Sequence, residues 1–242
     1  RPVVYVAGLT VAMLGASMLI PMGLDWWVGN GNHGVFLVSA IVTALIGGLA
    51  ALAAQNGVGE RLTIQQTFLL TTGVWLALPV FGAIPFVVGP DEVRPVDAFF
   101  EAMSGMTTTG STIFTGIEAL PEGVRLWRAM LQWFGGIGII VVAMVFLPEL
   151  RVGGMQIFRS EGFDTFGKIL PRATEIAQRI SVIYAALTLV AALAYLGFGM
   201  GPLDAICHAM TTIATGGFAN YDSSFADFGI GVEYVAALFM LL

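Results

Sequence analysis

Long apolar runs broken by short polar segments set the outline of this chain. A helix that crosses a bilayer needs about 20 mostly apolar residues. Five stretches meet that length: Val3–Leu24, Gly34–Ala54, Phe68–Val88, Leu126–Leu147 and Ile180–Met200. A sixth opens near Phe228 and runs to the end. Pro79 and Pro85 in the third predict a kink or an early end, because proline lacks the amide donor and crowds the preceding turn. Arg128 and Gln132 place the first turns of the fourth at the membrane interface. Two more apolar runs, Val96–Met106 and Leu203–Ile213, are too short to cross and predict re-entrant helices.

These two short runs are copies of one another. Pro95-Val96-Asp97-Ala98-Phe99-Phe100-Glu101-Ala102-Met103 aligns with Pro202-Leu203-Asp204-Ala205-Ile206-Cys207-His208-Ala209-Met210 at an offset of 107, with five of nine positions identical. The same offset pairs Thr108 with Thr215 and Gly110 with Gly217. Each copy follows one span and precedes another, so the repeating unit is span, short helix, polar Gly/Thr turn, span. The expected organisation is an N-terminal helix pair over 1–60, a first repeat with a cytoplasmic loop over 61–175, and a second repeat over 176–242 whose last helix is incomplete. The chain starts at Arg1 and ends inside an apolar run, which reads as a piece of a longer protein.

Composition narrows the class. Hydrophobic residues make up 57% and charged residues 11%, against roughly a quarter charged in a soluble domain. A net charge of −6 argues against a nucleic-acid partner. The single cysteine, Cys207, excludes an internal disulfide framework and a Cys-based metal cluster. No catalytic constellation stands out, so an enzyme is the weakest class and no cofactor is expected. With alternating spans, Arg1, Arg61, Arg151, Arg159, Lys168, Arg172 and Arg179 share one side, which the positive-inside rule makes cytoplasmic. Arg94, Arg125 and Arg128 fall on the other. Most acids fall there too: Asp25, Asp91, Glu92, Asp97, Glu101, Glu118, Glu122, Asp204, Asp222 and Asp227. An acidic mouth concentrates cations.

The turns after the short helices carry the candidate chemistry. Thr107-Thr108-Thr109-Gly110-Ser111 and Ala214-Thr215-Gly216-Gly217 are small, polar and glycine-bearing. Irregular backbone at membrane depth survives only where protein or a water-filled cavity satisfies it. Consecutive carbonyls facing one axis can replace the hydration shell of a monovalent cation. The expected ligands for such a cation are the carbonyls of Thr108, Thr109, Gly110, Thr215, Gly216 and Gly217. Each short helix ends at its turn, and its negative C-terminal dipole favours a cation there. Asp97 and Asp204 lie in the first turns, at the positive ends. Glu101 and His208 occupy equivalent positions and are read as supports: Glu101 braces its helix, and His208 is a hydrogen-bonded packing residue. His33 is read as solvated. Gly135-Gly136-Ile137-Gly138 lies inside a span with no preceding strand, so it serves helix packing and not dinucleotide binding. Arg125 and Arg128 are expected to snorkel. The basic stretch Arg151–Arg179 is read as a positive-inside loop.

These motifs resemble those of the Trk/Ktr/HKT potassium transporters. The run Phe99–Thr112 is similar to the family's first pore loop. Leu131-Gln132-Trp133-Phe134-Gly135-Gly136-Ile137-Gly138-Ile139-Ile140 and Gly153-Gly154-Met155-Gln156 resemble the helix that follows in the TrkH branch. Thr212-Ile213-Ala214-Thr215-Gly216-Gly217-Phe218 resembles the second pore loop. The resemblance implies an all-α polytopic membrane protein of the potassium-channel-like kind, with re-entrant pore helices and extended filter loops. It implies four repeats about one ion path, of which this chain holds the first and part of the second. It implies channel-like potassium uptake across a bacterial or archaeal plasma (inner) membrane. Contact with membrane lipid, a homodimer, and a cytoplasmic nucleotide-binding regulatory subunit of TrkA/KtrA type also follow from it. Glycine at Gly110 goes with potassium, where serine goes with sodium. Two other readings stay open: a sodium- or proton-coupled carrier, and a non-conducting assembly module.

Overall fold

The computed structural model describes residues 1–57, 63–89, 93–149 and 166–241. Among these, every regular element is helical: α1 Pro2–Ser17, α2 Leu19–Val28, α3 His33–Ala54, α4 Ile64–Gly82, α5 Ile84–Val88, α6 Pro95–Met106, α7 Glu122–Glu149, α8 Phe166–Gly197, α9 Pro202–Ile213 and α10 Ile230–Met240. Single 3-10 turns cover Gln55–Gly57, Ile117–Ala119 and Ala226–Phe228. Pro2–Val28, His33–Ala54, Gln65–Val88 and Ala177–Gly197 are long and apolar enough to cross a membrane. The predicted likeness at Gly153–Gln156 and the charges Arg61, Asp91, Glu92, Arg151 and Arg159 lie outside the described residues, whereas the rest of the predicted basic loop, with Lys168, Arg172 and Arg179, is helical and belongs to α8.

Two breaks follow from proline chemistry. The first span is not one helix ending at Leu24. It divides at Met18, whose amide turns back to the Gly15 carbonyl, and continues as α2 to Val28. Pro21 has no amide to offer Ser17 and its ring crowds that carbonyl, so the α-helical ladder cannot run through. The third span keeps Pro79 inside α4 but breaks at Ala83, two residues before Pro85 at the start of α5.

The inward face of α3 is built from Phe36, Ser39, Ala40, Thr43, Gly47, Ala51 and Ala54, while Leu45, Leu49 and Leu52 are exposed. This is the membrane arrangement, with small residues at the helix interface and large ones toward lipid. A Cβ on Gly8 would stand 2.7 Å from the Gly47 carbonyl oxygen, and one on Gly47 would stand 2.6 Å from the Gly8 oxygen. The backbones of α1 and α3 therefore touch. One buried cluster joins this pair to α6 and α7 around Trp127, Phe36 and Leu131. A second joins α8, α9 and α10 around Tyr195, Ala205 and Val232.

Candidate functional site

Proline at the first helical position starts both short helices, where a missing amide is harmless. They extend over Pro95–Met106 and Pro202–Ile213, 12 residues each. Their exits follow the same path. Thr107, Thr108 and Thr109 donate their amides to Met103, Gly105 and Ser104. Ala214, Thr215 and Gly216 donate to Met210, Thr212 and Thr211, the positions 107 residues later. Positive φ recurs at Thr108 (55°) and Thr215 (53°), and at Gly110 (78°) and Gly217 (79°). A left-handed threonine is uncommon. Two of them at equivalent positions make the repeat a fact of the backbone as well as of the sequence.

The returning chains are also held alike. Glu101 accepts the Ile113 amide at 2.9 Å. In the second copy, His208 takes that place. Its Nδ1 lies 2.8 Å from the Asp204 carbonyl oxygen, which can only accept, so Nδ1 carries the proton. Its Nε2 then accepts the Asn220 amide, a long contact of 3.5 Å. Residues 113 and 220 stand at the same offset. The Asp97 carboxylate pairs with the Arg94 guanidinium at 2.6 Å. Asp204 accepts from Asn220 Nδ2 at 2.9 Å and the Tyr221 hydroxyl at 3.0 Å.

The first repeat adds a buried charge pair. Arg128 donates from Nε to Glu101 at 2.7 Å, from Nη1 to the Ala219 carbonyl at 2.9 Å and from Nη2 to the Thr112 hydroxyl at 3.1 Å. Its guanidinium also lies 4.4 Å from the Phe218 ring centre. Glu101 and Arg128 are 0% and 1% exposed. This overturns the snorkelling expected for Arg128; Gln132, one turn further on, is also fully buried. The ion pair supplies the reason, since a guanidinium within reach of a buried carboxylate is better solvated there than alone in an apolar helix. Arg125 does not snorkel either; it sits 3.5 Å from Glu122 and 3.9 Å from Asp204. His33 opens α3 and is exposed, as expected. The glycines of α7 do serve packing: a Cβ on Gly135 would overlap the Met106 carbonyl, and one on Gly136 the Tyr184 hydroxyl.

The two turns meet. A Cβ on Gly110 would overlap the carbonyl oxygen of Gly216. Thr109, Ser111, Thr215 and Gly217 are exposed, Thr107, Thr108 and Gly110 half-buried, and Ala214 and Gly216 buried. A cavity of about 220 Å³ opens beside the meeting point, lined by Gly110, Thr112, Arg128, Gly217, Tyr221 and Asp222. Asp222 ties the repeats together across it, accepting the Gly116 amide at 2.7 Å and the Ile117 amide at 3.1 Å. Those two bonds, Gly116 first, hold its carboxyl below the ordinary 3.8. Among the described residues, no three His, Cys, Asp or Glu side chains converge on a metal site. Sequence reasoning missed the Arg128 network, the Gln132 contact with the loops and the Asp222 clamp. A charge inside an apolar helix was the available signal for the first.

Apolar spans and the paired short helices define a multi-pass helical membrane protein. The chain belongs to the TrkH family of cation transport proteins, whose family model, described as "Cation transport protein", matches residues 32–242. It is 47% identical over 178 residues to the Trk system potassium uptake protein TrkI of Halomonas elongata, covering 73% of this chain and 36% of that one. It is 37% identical to the Trk system potassium uptake protein TrkH of Escherichia coli, covering 100% of this chain and 51% of that one. The crystal structure of the potassium transporter TrkH from Vibrio parahaemolyticus superposes with a TM-score of 0.87 at 32% identity, over 100% of this chain and 49% of that one. The chain thus spans about half the length of these relatives, and less of the first.

Proposed function

We propose that the chain forms the first part of an ion path for potassium uptake, with Thr108–Gly110 and Thr215–Gly217 as selectivity-filter segments. The observation that carries this reading is the repeated loop geometry, with Gly110 lying against the Gly216 carbonyl. In this reading α6 and α9 enter the membrane from outside without crossing it. Their C-termini put partial negative charge beside the filter, and the carbonyls of Thr108, Thr109, Gly110, Thr215, Gly216 and Gly217 replace water around K+. Glu101 and His208 hold the returning chains, and Asp97 and Asp204 sit at the positive helix ends. Thr107, Ser111 and Ala214 flank the carbonyl ligands. The relatives' names as uptake proteins of a Trk system support transport without catalysis, and a protein with several components. The partners proposed on family resemblance are a second copy and a cytoplasmic nucleotide-binding subunit, in the inner membrane of a bacterium or archaeon.

Rubidium uptake into liposomes holding the full-length protein, with potassium and sodium as competitors, tests the reading. Uptake blocked by potassium and not by sodium is the expected result. Uptake only under a sodium or proton gradient would turn the reading to a coupled carrier. No uptake under a negative-inside potential would favour an assembly module. In the same assay, Gly110→Ser should weaken the preference for potassium, because its Cβ must displace the Gly216 carbonyl and its φ is left-handed.

A further inference from the structure

Gln132 lies on α7 one turn beyond Arg128, with its side chain wholly buried. Its Oε1 accepts the Phe218 amide at 3.0 Å, just after Gly216-Gly217. Its Nε2 finds no hydrogen-bond partner among the described residues. A Cβ on Gly216 would overlap the Gln132 carboxamide, and a Cβ on Gly110 would stand 3.7 Å from Nε2. One carboxamide thus lies against both loops, at the seam where they meet. Gly216 has no positive φ, so its backbone does not demand glycine. The space taken by Gln132 does. A buried donor left unpaired is costly, and such groups call for an explanation.

We propose that Gln132 is a positioning residue of the ion path. Its carboxamide holds the Gly216 segment at a set distance from Gly110, and that distance sets the preference among monovalent cations of different size. The inference rests on the potassium-filter reading above. It adds a side chain that never meets the ion. The Phe218 bond fixes the exit of the second loop, and the carboxamide packed against Gly216 at the seam limits how far the two loops can shift against one another.

The test uses the full-length protein in liposomes, with rubidium uptake read against potassium and sodium. Gln132→Met keeps the length and removes both polar atoms. It should lower the potassium-over-sodium preference about fivefold, the size of one neutral hydrogen bond. Gly216→Ala should slow uptake, because its methyl meets the carboxamide. Gly216→Ala with Gln132→Ala should regain rate while the preference stays weak. Unfolding midpoints in detergent accompany each variant. A lower midpoint with an unchanged preference in the surviving protein overturns the proposal, since that is what a packing role alone produces. Should Gln132→Met not fold, the Gly216 pair decides: no regain of rate in the double variant overturns it. Wild-type protein without potassium preference removes the filter reading and this inference together. Wild-type preference that Gln132→Met retains removes this inference alone.

Discussion

Arg128 shows what a single charge does in this fold. It gathers the α6 carboxylate, the first loop's Thr112 and the second loop's Ala219 carbonyl around one guanidinium. Removing one member of a buried pair leaves the other charged and unpaired, at a cost of about 3–5 kcal/mol, whereas replacing both with neutral groups costs far less. Arg128→Met should therefore unfold at a markedly lower temperature in detergent than Arg128→Met combined with Glu101→Gln. A double variant no more stable than the single one would count against the pair. The sequence offered Glu101 as a brace of its own helix; in the structure its carboxylate instead holds Thr112, the Ile113 amide and Arg128. Its partner was not legible. Sequence places Arg128 27 residues away in a different helix, and only the fold brings the two within 2.7 Å. His208 was read correctly as packed and hydrogen-bonded, between the rings of Phe225 and Phe228.

At the scale of elements, the spans were legible from apolar length, but which face turns inward was not. In water the large apolar residues mark the buried face. Here Leu45, Leu49 and Leu52 face outward, and Ser39, Thr43 and Gly47 face the neighbouring helix. Gly47→Val should accordingly push α1 from α3 and lower the unfolding temperature, while Gly48→Val, whose Cβ would meet nothing within 4 Å, should change it little. The loops add a pH-dependent contact. The Asp222 carboxylate is favoured by the Gly116 and Ile117 amides, with Arg128 adding to that and desolvation opposing it. Its folded value lies below its unfolded one, so the stabilisation is complete above the unfolded value and lost as pH falls through the folded one. Hydrogen exchange at the Gly116 and Ile117 amides should speed up as pH drops below about 3.8, relative to the intrinsic rates. In Asp222→Asn the same amides should exchange faster near neutrality and lose that acid step.

For the whole molecule, the charge asymmetry read from sequence makes a claim about direction that α3 can decide. Its 22 residues run from His33 to Ala54. At about 1.5 Å per residue that length spans a hydrocarbon core of roughly 30 Å. Its first end joins the side that holds the loop exits, the Asp222 clamp and the exposed Trp26 and Trp27, which are 72% and 85% accessible and suit the headgroup belt. Its other end leads toward the basic side. Gly34 is exposed with open space at its Cβ, and Gln55 is exposed just beyond the helix. Cysteines placed there, Gly34→Cys and Gln55→Cys, read the two ends of one element. The native Cys207 is 2% exposed and gives little background. A membrane-impermeant maleimide added to intact cells that make the full-length protein should label Gly34→Cys and leave Gln55→Cys unlabelled until the membrane is opened. The reverse pattern would put the Thr/Gly loops proposed as the filter on the cytoplasmic side. Cations would then meet the acidic mouth only from within, and uptake through it would be the wrong direction of travel to propose.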